Sequence, residues 1–172
     1  MKNMMGHKIS IGIFSLVFVF FLHATVVLAQ QQPRLDLKTM VQKEVKVKKQ
    51  GKWDMELIPV EKAGRGDRLV YTITYLNTGK TSAVDAQIVN PIPQGTALIP
   101  GSAEGTDADV TCSIDNGVSW HKPPVMVRLK NAAGKELIQS AAAESYTHVR
   151  WVIKKPVLPG QSGRVSFKTT VK

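Results

Sequence analysis

The chain holds a single cysteine, Cys112, so no internal disulfide can brace it. Histidine is nearly as scarce: His7 and His23 fall near the start, which leaves only His121 and His148 in the body of the chain. A zinc site or a general base needs a convergent set of partners, and neither of these two has one legible nearby. No HExxH, no GxSxG and no phosphate-cradling glycine loop occurs. After Ala29 no apolar run is long enough to cross a bilayer. Nor is a helical period sustained there for the length of a core helix. These absences exclude a disulfide scaffold, and they leave no residue to nominate as catalytic, cofactor-binding or metal-binding. The protein is expected to be non-enzymatic and to stand on its own hydrophobic core.

What is present begins with an export signal. Lys2 and Lys8 form a positive start, Ile9 to Leu22 is an apolar run, and Val27-Leu28-Ala29 precedes three glutamines. That order of charge, apolar stretch and small residue is the pattern of a signal peptide, expected over 1–29. An uncleaved anchor is the alternative, but His23 and Thr25 sit poorly in a span. Residues 30–39 read as a short polar tether, and 40–172 as one domain. The formal charge is +10, which suits anionic envelope polymers or other envelope proteins as partners. The same lysines also serve as guards on sheet edges. Nucleic acid is not expected, because the basic residues are not interleaved with exposed aromatics. The location implied is periplasmic or cell-surface.

The body of the chain reads as strands and turns. Val41, Val45 and Val47 alternate with Gln42, Glu44, Lys46 and Lys48, and Lys43 interrupts the apolar face, as in an edge strand. Gln50-Gly51-Lys52 turns the chain into Trp53, Met55 and Leu57, making an N-terminal hairpin over 40–62. Leu69, Tyr71, Ile73 and Tyr75 share one face of a strand, which Asn77-Thr78-Gly79 ends. A second run, Val84 to Val89, stops at Asn90-Pro91-Ile92-Pro93, since proline cannot donate to a ladder. Short strands follow at Thr96 to Ile99, Val110 to Ile114, Val118 to Trp120 and Val125 to Leu129. Ser102 to Asp107 reads as a polar loop. Asn131 to Ser145 contains helix formers but is short, a loop with one turn. Tyr146 to Ile153 and Val165 to Val171 complete eight to ten strands, the spacing of a β-sandwich. The expected fold is all-β, an immunoglobulin-like antiparallel sandwich.

Several features invite a chemical reading and also have a plainer one. Glu104, Asp107 and Asp109, with Asp115 beyond, make an acidic loop that can be a weak calcium site or simply solvated. Ser113-Ile114-Asp115-Asn116-Gly117-Val118-Ser119-Trp120 is similar to the Asp-box hairpin of sialidases and other propellers. There the aspartate accepts turn amides and the glycine takes positive φ, a structural role. Trp53, Trp120, Trp151, Tyr71, Tyr75 and Phe167 can line a glycan surface or pack in the core, and core packing is expected. Cys112 shares a face with Val110 and Ile114, so it is expected as a buried small hydrophobe.

Gly66-Asp67 entering a strand, Tyr71-Thr72-Ile73-Thr74, Asn77-Thr78-Gly79, Ala83, and the corner Asn90-Pro91-Ile92-Pro93-Gln94-Gly95 form an ordered set. Trp151 and the turn Leu158-Pro159-Gly160-Gln161-Ser162 extend it. Over 66–172 the chain resembles the conserved cell-surface repeat family known as domain of unknown function 11. An insertion lies between Asp107 and Ser145, and Asn90 stands where that family usually has an acid. The resemblance implies an immunoglobulin-like module of envelope proteins with no agreed activity, so no catalytic residue carries over. Structural or adhesive duty is one expectation. A fibre subunit that adds a strand to its neighbour through the N-terminal segment is the alternative.

Overall fold

The structure, a computed structural model, describes residues 32–131 and 134–172. The expected signal peptide lies outside them. The protein is an all-β sandwich of antiparallel sheets, as its alternation implies.

The larger sheet is built on β3 (Arg68–Asn77) and β11 (Ser162–Val171), which pair antiparallel over nearly their whole length. On the other side of β3 lies β1 (Leu35–Lys49), followed by β2 (Lys52–Pro59). The far edge of β11 is covered by two short pieces, β5 (Thr96–Leu98) and β6 (Glu104–Gly105). The smaller sheet is β4 (Gln87–Pro91), β10 (His148–Ile153) and β7 (Ala108–Ser113), with β10 in the middle. A hairpin of β8 (Met126–Lys130) and β9 (Glu136–Ser140) stands apart from both.

Without β2, β6 and the β8–β9 hairpin, seven strands remain, ordered 1-2-7-4 over 3-6-5. The immunoglobulin constant layout is 1-2-5-4 over 3-6-7. The fifth and last strands have therefore exchanged sheets, while the two-layer architecture is kept.

Alternation dictates what fills the space between the layers. Ile73, Val165 and Phe167 from the large sheet meet Ile88, Val149 and Trp151 from the small one, each at most 2% exposed. Tyr71 and Phe167 are register partners and stack at 4.7 Å. Trp151 closes on Phe167 across the layers at 6.0 Å. Truncating such a ring to alanine costs about 3–5 kcal/mol.

Some expectations change. Strand β1 starts at Leu35, so residues 35–39 belong to the sheet and not to a tether. It is also not a simple edge strand. Its first part pairs β3 and its last part pairs β2, the two overlapping only at Gln42, Lys43 and Glu44. Lys43 tolerates that position because its ammonium lies 2.7 Å from Asp67. The strand expected from Val84 starts only at Gln87, since Asp85 takes a φ of 51° that breaks the extended run. The polar loop at Ser102 contains β6. Val118 to Trp120 is not a strand, and only a bridge between Cys112 and His121 remains there. The helix formers of Glu136 to Ser140 are captured as β9, because Gly134 at positive φ returns the chain onto β8. One 3₁₀ turn, Ala143–Ser145, follows.

The turn at Asn77-Thr78-Gly79 needs its glycine for space and not for a positive φ. Neither Gly79 nor Asn77 adopts positive φ. Instead, a Cβ on Gly79 would lie 2.6 Å from the Arg34 backbone nitrogen, so glycine is required by the close approach of the N-terminal segment.

Candidate functional site

Three places gather polar chemistry, and each is occupied by structural work. The first is the turn after β7. Ser113, fully buried, donates from Oγ to Asp115 Oδ1 at 2.6 Å and accepts the Gly117 amide at 2.8 Å. Ser119 donates its hydroxyl to Asp115 Oδ2 at 2.6 Å and its amide to Oδ1 at 2.9 Å. The Ser113 hydroxyl first, then Ser119, holds the Asp115 carboxyl well below the usual carboxylate range. Asn116 and Gly117 take positive φ, as the Asp-box reading requires.

The structure adds a neighbour that sequence reading missed. His121 Nε2 lies 3.1 Å from Ser119 Oγ, placing Ser, His and Asp in one chain of contacts. Their order is wrong for a nucleophile. In an acyl-transfer triad the aspartate orients the histidine and the histidine takes the serine proton. Here the aspartate touches the serine directly and already receives its proton in a hydrogen bond, so His121 must donate to Ser119. The i, i+2 spacing of Ser119 and His121 was the signal available, but alternation alone does not say which serine turns toward it.

The second place is the acidic loop. Asp107 pairs with Lys155 at 2.8 Å and Asp109 with Lys154 at 2.9 Å. The Lys155 hydrogen bond pulls the Asp107 carboxyl below its ordinary value. These ammonium groups stand where a cation would have to bind, and among the described residues no group of three metal-ligating side chains converges. Tyr75, Asp107, Lys155 and Arg164 line a cleft of about 280 Å³ beside the pair.

The third is the surroundings of Cys112. The thiol is buried at 1% exposure and pushed up to about 11 by desolvation, which makes it an inert core residue. Leu98, Pro100, Ala103, Pro123 and Tyr146 line an apolar cleft of about 280 Å³ next to it. Tyr146 is already engaged, accepting the Val125 amide at 3.0 Å.

The aromatics divide. Trp151, Tyr71, Tyr75 and Phe167 are core, as expected. Trp120 is not: it folds over the outer side of the small sheet, 4.5 Å from the Arg150 guanidinium carbon and edge-on to His148 at 6.3 Å. Trp53 departs furthest, at 63% exposure.

That exposure belongs to the most distinctive surface of the molecule. Beyond Glu44 the β1–β2 pair has no third strand beside it among the described residues and projects as a ribbon closed by Gln50 and Gly51. Trp53, Met55 and Leu57 point to one side of it, in register with Lys48, Lys46 and Glu44. Glu44 is held close to the sheet, its side chain 8% exposed, by Lys168 at 2.6 Å and Arg68 at 3.6 Å. The outer edge of β2 and one edge of residues 35–41 carry no paired strand among the described residues. Missing from the sequence reading was this projection: alternation identified a hairpin, but not that β3 begins too late to support it.

Comparison of the chain with protein-family models, with curated proteins and with solved structures gave no match. The site is therefore read from its own geometry. Among the described residues no helix is long and apolar enough to cross a membrane.

Proposed function

We propose that this protein is a non-enzymatic, exported module of the cell envelope with a structural or adhesive role, working by surface contact. One observation carries the reading: Asp107, Asp109 and Asp115 are engaged in ion pairs and a turn, whereas the β1–β2 ribbon leaves Trp53, Met55 and Leu57 exposed. Large apolar side chains grouped on one exposed face mark interaction surfaces. The signal-peptide pattern of 1–29 and the resemblance to the cell-surface repeat family support the envelope setting. Envelope proteins or anionic envelope polymers are the partners that fit a basic ribbon.

The test is photo-crosslinking in cells from position 55 and, as a control, from Val118, which is 84% exposed elsewhere. Fractionation of the same cells reports the compartment. Envelope recovery with adducts from 55 and none from 118 is expected. Cytoplasmic retention, or equal adducts from both positions, overturns the reading.

A second reading, a fibre subunit adding strands to its neighbour, is favoured by the open edges of β1 and β2. Because β1 is internal to the sheet at Gln42 to Glu44, deleting residues 30–49 would remove part of the sandwich. A lysine at Met55 tests the edge without doing so. Assembly that grows with concentration and is lost in Met55→Lys supports the fibre; a monomer at all concentrations ends it.

A further inference from the structure

The outer face of the ribbon consists of two columns of opposite character. On β2, Trp53, Met55 and Leu57 are 63%, 48% and 43% exposed. On β1, Lys48 stands opposite Trp53 and Lys46 opposite Met55. Lys46 Nζ lies 5.1 Å from the centre of the Trp53 ring, so cation and indole share one patch. Lys49 and Lys52 face each other at the closed end. The acids Asp54 and Glu56 are register partners of Val47 and Val45, on the opposite face, which they share with Lys49 and Lys52. Asp54 accepts the Met55 amide, and Glu56 lies 3.4 Å from Lys49. Glu44, the remaining acid of the outer face, is neutralised by Lys168 and Arg68.

We infer that this ribbon docks on an anionic phospholipid surface. Trp53 and Met55 enter the headgroup layer, and Lys46, Lys48 and Lys52 meet lipid phosphates. The inference rests on reading the ribbon as a contact surface and names its partner. Two features favour lipid over an acidic polysaccharide. Met55 and Leu57 gain nothing from a hydrated sugar chain, but apolar side chains gain by burial at the acyl boundary. An indole is at home at headgroup depth. The cations lie on both faces of the ribbon end, an arrangement that meets a plane end-on better than a chain running along one face. Each lysine near an anionic surface contributes about fivefold in affinity, so three such groups and one indole suffice for reversible docking.

The experiment is co-sedimentation of the purified protein with vesicles of phosphatidylcholine alone and of phosphatidylcholine with one third phosphatidylglycerol, at low and high salt. Binding to the anionic vesicles only, weakened by salt, is expected. Tryptophan emission should shift to the blue on binding, and that shift reports Trp53, because Trp151 is fully buried and Trp120 is packed on Arg150. Trp53→Ala should remove the shift and weaken binding about tenfold, and Lys46→Gln with Lys48→Gln should weaken it at least tenfold. Lys122→Gln with Lys130→Gln should change nothing. Circular dichroism confirms that each variant is folded. Absence of binding, equal binding to neutral vesicles, or parental binding by Trp53→Ala overturns the inference. So does capture by a soluble acidic polysaccharide that displaces vesicles without any emission shift. If vesicles fail while position 55 still crosslinks to an envelope protein, the lipid falls and the surface-contact reading stands.

Discussion

The side-chain amide of Asn77 donates to the carbonyl of Val157, eighty residues later, at 2.7 Å. Its second proton goes to the Thr81 carbonyl at 2.8 Å, and its oxygen accepts the Gly79 amide at 3.0 Å. A fully buried asparagine thus ties the end of β3 to the turn that follows and to the segment leading into β11.

Replacing Asn77 tests that tie. Asn77→Ala forfeits three hydrogen bonds at a fully buried position, an expected loss of about 2–4 kcal/mol. Asn77→Asp is isosteric but sets a carboxylate against two carbonyl oxygens, and should cost at least as much near neutral pH. Urea unfolding measures both. An aspartate variant as stable as the parent would contradict the geometry.

Gly163 and Tyr75 are register partners, and a Cβ at 163 would overlap the tyrosine ring. Gly163→Ala should therefore destabilise by about 1–3 kcal/mol, the range for overpacking. Combining it with Tyr75→Val should cost less than the sum of the single changes, with a coupling of about 0.5 kcal/mol or more. Strict additivity would mean the ring does not lie across the glycine.

Cys112 ties stability to alkaline pH. Its thiol is raised to about 11 from 9.0 in the folded protein. Above pH 9 the unfolded chain releases this proton while the folded one keeps it, so stability falls as pH rises from 9 to 11. Cys112→Ala should flatten that part of the profile, at the expense of a small cavity. Labelling by a thiol reagent at neutral pH should require unfolding, and prompt labelling of the native protein would refute the burial.

Glu44 acts at the other end of the scale. The Lys168 hydrogen bond holds its carboxyl below 4.5, with Arg68 adding to the effect. Its contribution is complete above the unfolded value and disappears as pH falls through the lower, folded one. Glu44→Gln should cost about 1–2 kcal/mol at pH 7, between an exposed and a buried pair. The difference from the parent should shrink below pH 4 and in high salt. A gap independent of pH would assign the loss to packing.

Legibility followed periodicity. The inner faces of β3, β10 and β11 were readable because a two-residue period assigns every second side chain to the core, and Leu69 to Tyr75 and Val149 to Ile153 obey it. Cys112 could be placed for the same reason. Asn77 was read as a turn residue, which is half of its role; its bond to Val157 depends on a pairing that no local pattern encodes. Glu136 to Ser140 favours helix on its own, and only the return onto β8 makes it a strand. Trp53 alternates just as Trp151 does, yet one is exposed and the other buried. The difference is whether a second layer lies opposite, which is a property of the assembled sheets.

The direction of the strands has a mechanical consequence. Strand β1 starts beside Asn77 and β11 ends beside Arg68, at opposite ends of β3. A pull applied through Leu35 and Val171 therefore runs along the strands and not across them. The hydrogen bonds joining β1, β3 and β11 share such a load as shear and must yield together, whereas a peeling geometry would open them one by one. Resistance to stretching is governed by the rate of unfolding, and this layout slows it under tension without adding a single contact.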